Sequence, residues 1–245
     1  MSAVEGSVAR GQAAEGAAAR ETAAGRAAAG WGRPSDRATR VLLGCGPAAG
    51  PLFLAVWLVQ ALTREGYDPS FHPLSLLSLG DLGWIQIANF VLCGLLYVAC
   101  AAGLRRVLHP GRAGTWGPLL VAANGIGMII AGVFTTDPGA GFPAGAPAGA
   151  PPVMSWHGVL HEIGFLVASC SGLALCFVFL RRFAALRRRG WVVACAGVPV
   201  LVIVVLAWPD LNSLSLRIVG ASAIQFAFLG AVAVRVSRGL SETGR

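Results

Sequence analysis

Six long apolar segments alternate with short polar connections along this chain. They span residues 41–62, 84–104, 117–136, 156–180, 191–208 and 214–235. Each segment is close to the ~20 residues that an α-helix needs to cross the hydrocarbon core of a membrane. The segments are continuously apolar and do not alternate, which excludes the strands of a membrane β-barrel. The pattern therefore predicts an all-α, polytopic membrane protein with six transmembrane helices.

Two polar segments flank the predicted membrane domain, which covers residues 41–238. Residues 1–40 are rich in Ala, Gly, Arg and Glu and contain no apolar run. We expect them to form a disordered cytoplasmic tail and not a secretory signal, because a signal needs an apolar core. Residues 239–245 are expected to form a second, short cytoplasmic tail.

The composition agrees with a membrane protein. Only 12% of the residues are charged and 56% are hydrophobic, whereas about a quarter of a soluble domain is charged. The net charge of +8 could indicate a nucleic-acid partner. However, the arginines lie in short clusters between apolar segments and form no basic patch with interleaved aromatic residues. We therefore expect the lipid bilayer as partner and exclude nucleic acid.

The distribution of arginine predicts the orientation in the membrane. One set of connections is rich in arginine: Arg37, Arg40, Arg105, Arg106, Arg112, Arg181, Arg182, Arg187, Arg188, Arg189, Arg235 and Arg238. The other set holds only Arg64 and Arg217. Because positively charged loops stay on the cytoplasmic side, both termini are predicted to be cytoplasmic.

Candidate chemistry is concentrated on the predicted external face. His72 lies in the first external connection, Asp137 follows the third segment, and His157 and His161 open the fourth segment in SWHGVLHEIG. Two histidines four residues apart share one face of a helix, a spacing that helical metal sites use. The four side chains would supply three nitrogen ligands and one oxygen ligand to a divalent ion such as zinc. Asp137 would then be a ligand or the catalytic base.

The same residues also have a purely structural interpretation. In this alternative, His157 anchors the fourth helix at the interface and His161 hydrogen-bonds a neighbouring helix. Asp137 is then a solvated helix end, and Asp81 is the N-cap of the second helix. Glu162 directly follows His161, so on a helix it points roughly 100° away from that histidine.

Polar residues within the apolar segments are expected to join helices to one another. They are Gln86, Asn89, Asn124 and Gln225. The first external connection is semi-apolar and is expected to fold back as a short interfacial or re-entrant element, because Leu76, Leu77 and Leu79 would not stay in water. The second, PGAGFPAGAPAGAPP, is expected to be a linker without regular helix.

Three blocks of the sequence resemble a known family. HPLSLLSLGDLGWIQIANFVLCGLLYVACAAGLRR, AGVFTTDPGAGFPAG and WHGVLHEIG occur in the order typical of the bacterial integral membrane family catalogued as domain of unknown function 998. The resemblance covers residues 42–238. It implies a six-helix protein of the bacterial cytoplasmic (inner) membrane, and it implies signature positions at Asp137, His157 and His161. A fainter likeness to membrane hydrolases of the alkaline ceramidase type carries no residue roles.

Two functional hypotheses follow. The first is a metal-assisted, hydrolase-like membrane enzyme that acts on a small molecule or lipid. The second is a non-catalytic transporter subunit or accessory membrane component, in which the histidines serve folding or proton coupling. Haem ligation is a third option, although His157 and His161 share one helix and bis-histidine ligation needs facing helices.

Overall fold

Six helices that are long and apolar enough to cross a membrane make up the described part of the chain. The computed structural model describes residues 36–151 and 153–242, so most of the predicted tail at 1–40 lies outside the described residues. The helices are α1 (Asp36–Thr63), α2 (Gly83–Leu108), α3 (Trp116–Val133), α4 (Trp156–Ala185), α5 (Arg189–Leu206) and α6 (Leu214–Glu242). Each predicted segment corresponds to one helix, which confirms the all-α, six-helix prediction.

Consecutive helices run antiparallel. In the α3–α4 pair, for example, the contacts join Asn124 to Ala168 and Ala131 to His161, so that residue numbers rise along one helix as they fall along the other. Alternate connections therefore meet at the same end of the bundle. The face opposite the described chain ends, called the distal face below, carries the connections 64–82, 134–155 and 207–213.

Glycines allow the backbones of α3 and α4 to touch. A Cβ atom on Gly127 would lie 2.6 Å from the carbonyl oxygen of Gly164, and one on Gly164 would lie 2.7 Å from the carbonyl oxygen of Gly127. No side chain fits between the two helices at this point. Helices in a membrane commonly pack through small residues. Lipid is as apolar as the protein interior, so close van der Waals contact between the helices replaces the hydrophobic effect as the driving force.

Buried amide side chains join the helices, as the sequence predicts. Gln60 of α1 donates to Gln86 Oε1 of α2 over 2.7 Å, and Asn89 of α2 donates to a carbonyl of α1 over 3.0 Å. Asn124 of α3 donates to the carbonyl of Ala168 in α4 over 2.8 Å. These bonds satisfy polar groups that lipid would leave unpaired, which confirms the predicted role of Gln86, Asn89 and Asn124.

The first distal connection contains a short 3₁₀ turn, Leu74–Ser78. Leu76 and Leu77 are buried in a cluster that also contains Trp57 and Phe142. The connection therefore contains a short ordered element, and its leucines Leu76 and Leu77 pack against other parts of the protein. Within the described residues, the second distal connection contains no helix between Val133 and Trp156, as its Pro, Gly and Ala content predicts.

The predicted N-cap of α2 is wrong. The helix begins at Gly83 with Leu82 at the N-cap position, and no side chain caps it. A tight turn precedes the helix: Gly80 has a φ of 73°, and its carbonyl accepts the Gly83 N–H over 2.9 Å. Because this carbonyl already satisfies the first free amide of the helix, Asp81 is not required as a cap and is exposed.

The third helix ends earlier than the sequence predicts. It stops at Val133, and Phe134 is already extended with φ −98° and ψ 103°. The predicted segment continues to residue 136. The early end leaves backbone carbonyls near residue 134 without partners in their own helix, and the candidate site is built around them.

We expect both chain ends to be cytoplasmic and the distal face to be external, because the arginine-rich connections lie on the side of the chain ends. Green fluorescent protein fused after residue 245 should fluoresce, and alkaline phosphatase inserted after Gly145 of the second distal connection should be active. An active phosphatase at residue 245 together with an inactive one at Gly145 would show that the orientation is the opposite of the one predicted. A fusion after Arg112, on the arginine-rich side, is the matched control.

Candidate functional site

The distal end of α3 presents backbone carbonyls that its own helix does not satisfy. The Phe134 N–H still bonds to the Ile130 carbonyl over 2.9 Å, but the chain then becomes extended. The carbonyls of Ala131, Phe134 and Thr135 therefore have no amide donor one turn further along the helix. At membrane depth an unpaired carbonyl costs several kcal/mol, so these groups need donors from elsewhere.

His161 of α4 supplies the first donor. Its Nδ1 lies 2.8 Å from the carbonyl oxygen of Ala131 and 3.1 Å from that of Phe134, and the residue is only 3% exposed. A carbonyl oxygen only accepts hydrogen bonds, so Nδ1 must carry the proton. In the neutral ring the lone pair then resides on Nε2.

His157 supplies the second donor, one helical turn nearer the distal face. Its Nδ1 donates to the carbonyl of Thr135 over 2.9 Å. The spacing of four residues places both rings on the face of α4 that meets the end of α3. We call His157 and His161, together with the three carbonyls, the histidine clamp. His161 thus hydrogen-bonds a neighbouring helix, as the structural interpretation of HGVLH expects.

Asp137 holds the start of α4 against the clamp. Its Oδ2 accepts the Ser155 N–H over 2.8 Å, and Ser155 Oγ accepts the Gly158 N–H over 3.0 Å as the N-cap of the helix. A Cβ atom on Gly158 would overlap the Asp137 carboxylate, so this contact requires a glycine at position 158. Asp137 Oδ1 is 4.0 Å from His157 Nδ1.

Hydrogen bonding to Ser155 lowers the pKa of Asp137, and the nearby His157 and His161 lower it further to a smaller extent. The ionised carboxylate of Asp137 therefore stabilises the folded state relative to the unfolded chain. This contribution is fully present at neutral pH and is lost only as the pH falls below the ordinary range of an aspartate, through the depressed pKa of the folded protein.

His72 belongs to a different cluster. Its Nδ1 accepts the Asp68 N–H over 2.8 Å, so its Nε2 carries the proton and donates to the carbonyl of Ala140 over 3.0 Å. Its ring packs against Tyr67 and Phe142, with ring centroids 5.6 Å away in each case. Both nitrogens are occupied, so His72 joins the first two distal connections and has no free lone pair.

The structure therefore brings together only part of the set predicted to bind zinc. Asp137, His157 and His161 meet at the end of α3, whereas His72 lies with the aromatic cluster. Across residues 36–151 and 153–242, no group of three or more His, Cys, Asp and Glu side chains is arranged to hold a metal ion. In His157 and His161, Nε2 is the ring nitrogen that is left for a further hydrogen bond or for a metal ion.

A cavity of about 200 Å³ lies beside the clamp, between α4 and α6 in the distal half of the bundle. The sequence analysis did not predict it. Its walls are mostly apolar and include Phe53, Phe90 and Phe226, and the 3₁₀ turn closes it on the distal side through Leu74 and neighbouring residues. The signal in the sequence is faint: polar residues at helical spacing on segments that are otherwise apolar.

Several polar side chains line this cavity. His161 does so, and its Nε2 makes no hydrogen bond with any described residue. Asn124 lines it as well, and its Oδ1 has no hydrogen-bond partner in the described part of the chain. The amide of Gln225 lies against Gly172, where a Cβ atom would overlap it. Glu162, which is exposed on α4, is the acidic residue of the lining.

A six-helix membrane bundle with a polar cluster at one end of its third and fourth helices is the class of protein that this fold defines. The chain belongs to the family described as protein of unknown function (DUF998), whose model matches residues 47–235. The match covers all six helices at least in part. No curated protein and no solved structure matches the sequence.

We expect replacement of His161 by Phe to destabilise the protein by about 1–3 kcal/mol, because two carbonyls lose their donor while an aromatic ring still fills the position. Unfolding of the detergent-solubilised protein, followed by circular dichroism, measures the change. His157→Phe is the matched control and should cost less, because its side chain is 37% exposed and satisfies one carbonyl. Equal stability of the two variants would contradict the clamp.

Proposed function

We propose that this protein is a non-catalytic membrane component that binds a small amphiphilic molecule in the cavity between α4 and α6. The cavity itself is the observation that supports this function. Its apolar walls with a few polar groups are the ordinary composition of a small-molecule site. The unpartnered Oδ1 of Asn124 and the free Nε2 of His161 give an occupant two groups to bond.

The hydrogen bonds of the site support binding better than catalysis. The histidines use Nδ1 to hold backbone carbonyls, and no carboxylate lies within hydrogen-bonding distance of either ring. The hydroxyl of Ser222, which lines the cavity, donates to the carbonyl of Ile218 over 2.8 Å. It is therefore not activated by a neighbouring base.

The exposure of α4 indicates how a ligand would enter. His161 is buried in this helix, whereas Phe165, which also lines the cavity, is 38% exposed, and Glu162 is exposed. The cavity thus extends from the protein interior to the outer flank of α4. In a membrane this flank faces lipid, so we propose entry from the bilayer near the distal face.

Blocking the cavity should abolish binding without unfolding the protein. Ser169 lines the cavity, whereas its neighbour Cys170 is exposed, points roughly 100° away around α4 and does not line the cavity. In lipid nanodiscs, Ser169→Trp should bind 1-naphthylmethanol at least tenfold more weakly than the wild type, as measured by the fluorescence of the probe. Cys170→Trp should bind it like the wild type. The same affinity in all three proteins would refute the proposed function.

The metal-assisted enzyme, with Asp137 as base and with His72, His157 and His161 as ligands, stays a prediction from the sequence. Our proposal instead predicts that the purified protein carries far less than one zinc ion per chain. Elemental analysis of the wild type and of His161→Ala tests this. One zinc per chain that is lost in the variant would favour the enzyme.

A further inference from the structure

The ionisable side chains around the cavity indicate the charge of its ligand. Glu162 is the acidic residue of the lining, and no arginine lines the cavity. Within the described residues Glu162 forms no ion pair and no hydrogen bond. An ionisable residue inside a membrane helix is a functional candidate whose partner must be named.

The arginines of the distal face do not supply that partner. Arg64 donates to the carbonyl of Leu79 over 2.7 Å, and Arg217 donates to the carbonyls of Leu206 and Asp210. Both guanidinium groups are thus used to hold the distal connections. The carboxylate of Glu162 is left as an uncompensated negative charge at the open side of the cavity.

Aromatic rings form much of the inner wall. Phe53 packs edge to face against Phe90, with ring centroids 5.0 Å apart, and against Phe226, with centroids 5.5 Å apart. The face of an aromatic ring carries partial negative charge, so it attracts a cation that lies within about 6 Å of the ring centre. All three rings line the cavity.

Two polar groups of the lining are hydrogen-bond acceptors that no donor of the described chain occupies. Asn124 uses its Nδ2 to bond Ala168, which leaves its Oδ1 as the free group. His161 uses its Nδ1 for the clamp, which leaves the lone pair of Nε2. A ligand with N–H donors can bond both groups, whereas a carboxylate or phosphate cannot, and it would find no arginine in the lining.

We propose that the cavity takes an amphiphilic organic cation: a protonated amine on an apolar body of roughly one aromatic ring system. This inference rests on the proposed binding function and specifies its ligand class. An engineered apolar cavity of about 150 Å³ binds benzene. A cavity of about 200 Å³ therefore accommodates a ring that carries an aminomethyl group, with the ammonium directed between Glu162 and the aromatic wall.

Three probes of one shape separate charge from apolar binding. They are 1-naphthylmethylamine, 1-naphthylmethanol and 1-naphthoate, titrated at pH 7 into the full chain in nanodiscs of phosphatidylcholine, a lipid without net charge. We expect the amine to bind at least tenfold more tightly than the alcohol, and the acid to show no saturable binding. Tenfold corresponds to ~1.4 kcal/mol of binding free energy.

Variants assign this preference to the cavity. Glu162→Gln should weaken the amine about tenfold and leave the alcohol within about twofold, because only the amine loses a charge partner. Glu65→Gln removes the same charge from an exposed residue of the first distal connection and should change neither affinity. Phe165→Leu should weaken the amine, whereas Phe177→Leu, on a flank of α4 that does not line the cavity, should not.

The outcomes separate the two proposals. If the amine and the alcohol bind equally, or if Glu162→Gln binds the amine like the wild type, the cation inference is overturned while cavity binding stands. If no probe binds, or if Ser169→Trp binds each probe like the wild type, both proposals are overturned.

Discussion

The backbone carbonyls at the end of α3 are the constraint on which the distal half of this protein depends. A carbonyl that leaves the helical pattern inside a membrane protein needs a donor from another part of the chain, since lipid supplies none. His157 and His161 provide it from α4. Their bonds set the register between the two helices, and the contact of Gly127 with Gly164 brings the backbones close enough for the rings to reach.

The same hydrogen bonds determine what the histidines can offer to other molecules. Because Nδ1 is committed to carbonyls, each ring is oriented and presents Nε2. The ring of His161, which carries the free Nε2, lines the cavity. A group that first serves the backbone thus becomes a fixed acceptor at the edge of a binding space. One buried side chain therefore both stabilises the fold and lines the cavity.

The distal connections close the cavity and are themselves held by shared hydrogen bonds. The carbonyl of His72 accepts from Tyr67 over 2.9 Å and from Ser215 at the start of α6 over 2.6 Å, while its ring bonds to Ala140 of the second connection. The 3₁₀ turn that follows directly therefore has a fixed position above the cavity. His72 acts on the site through the backbone and not as a ligand.

The sequence by itself determined the six helices, because a continuous apolar segment of sufficient length has no other stable form in lipid. It also determined that His157 and His161 share a face, since that follows from helical geometry alone. Only the tertiary structure decided what this face meets. The early end of α3, the separation of His72 from the pair and the cavity beside Asn124 all depend on contacts between distant segments, and spacing along one helix carries no information about them.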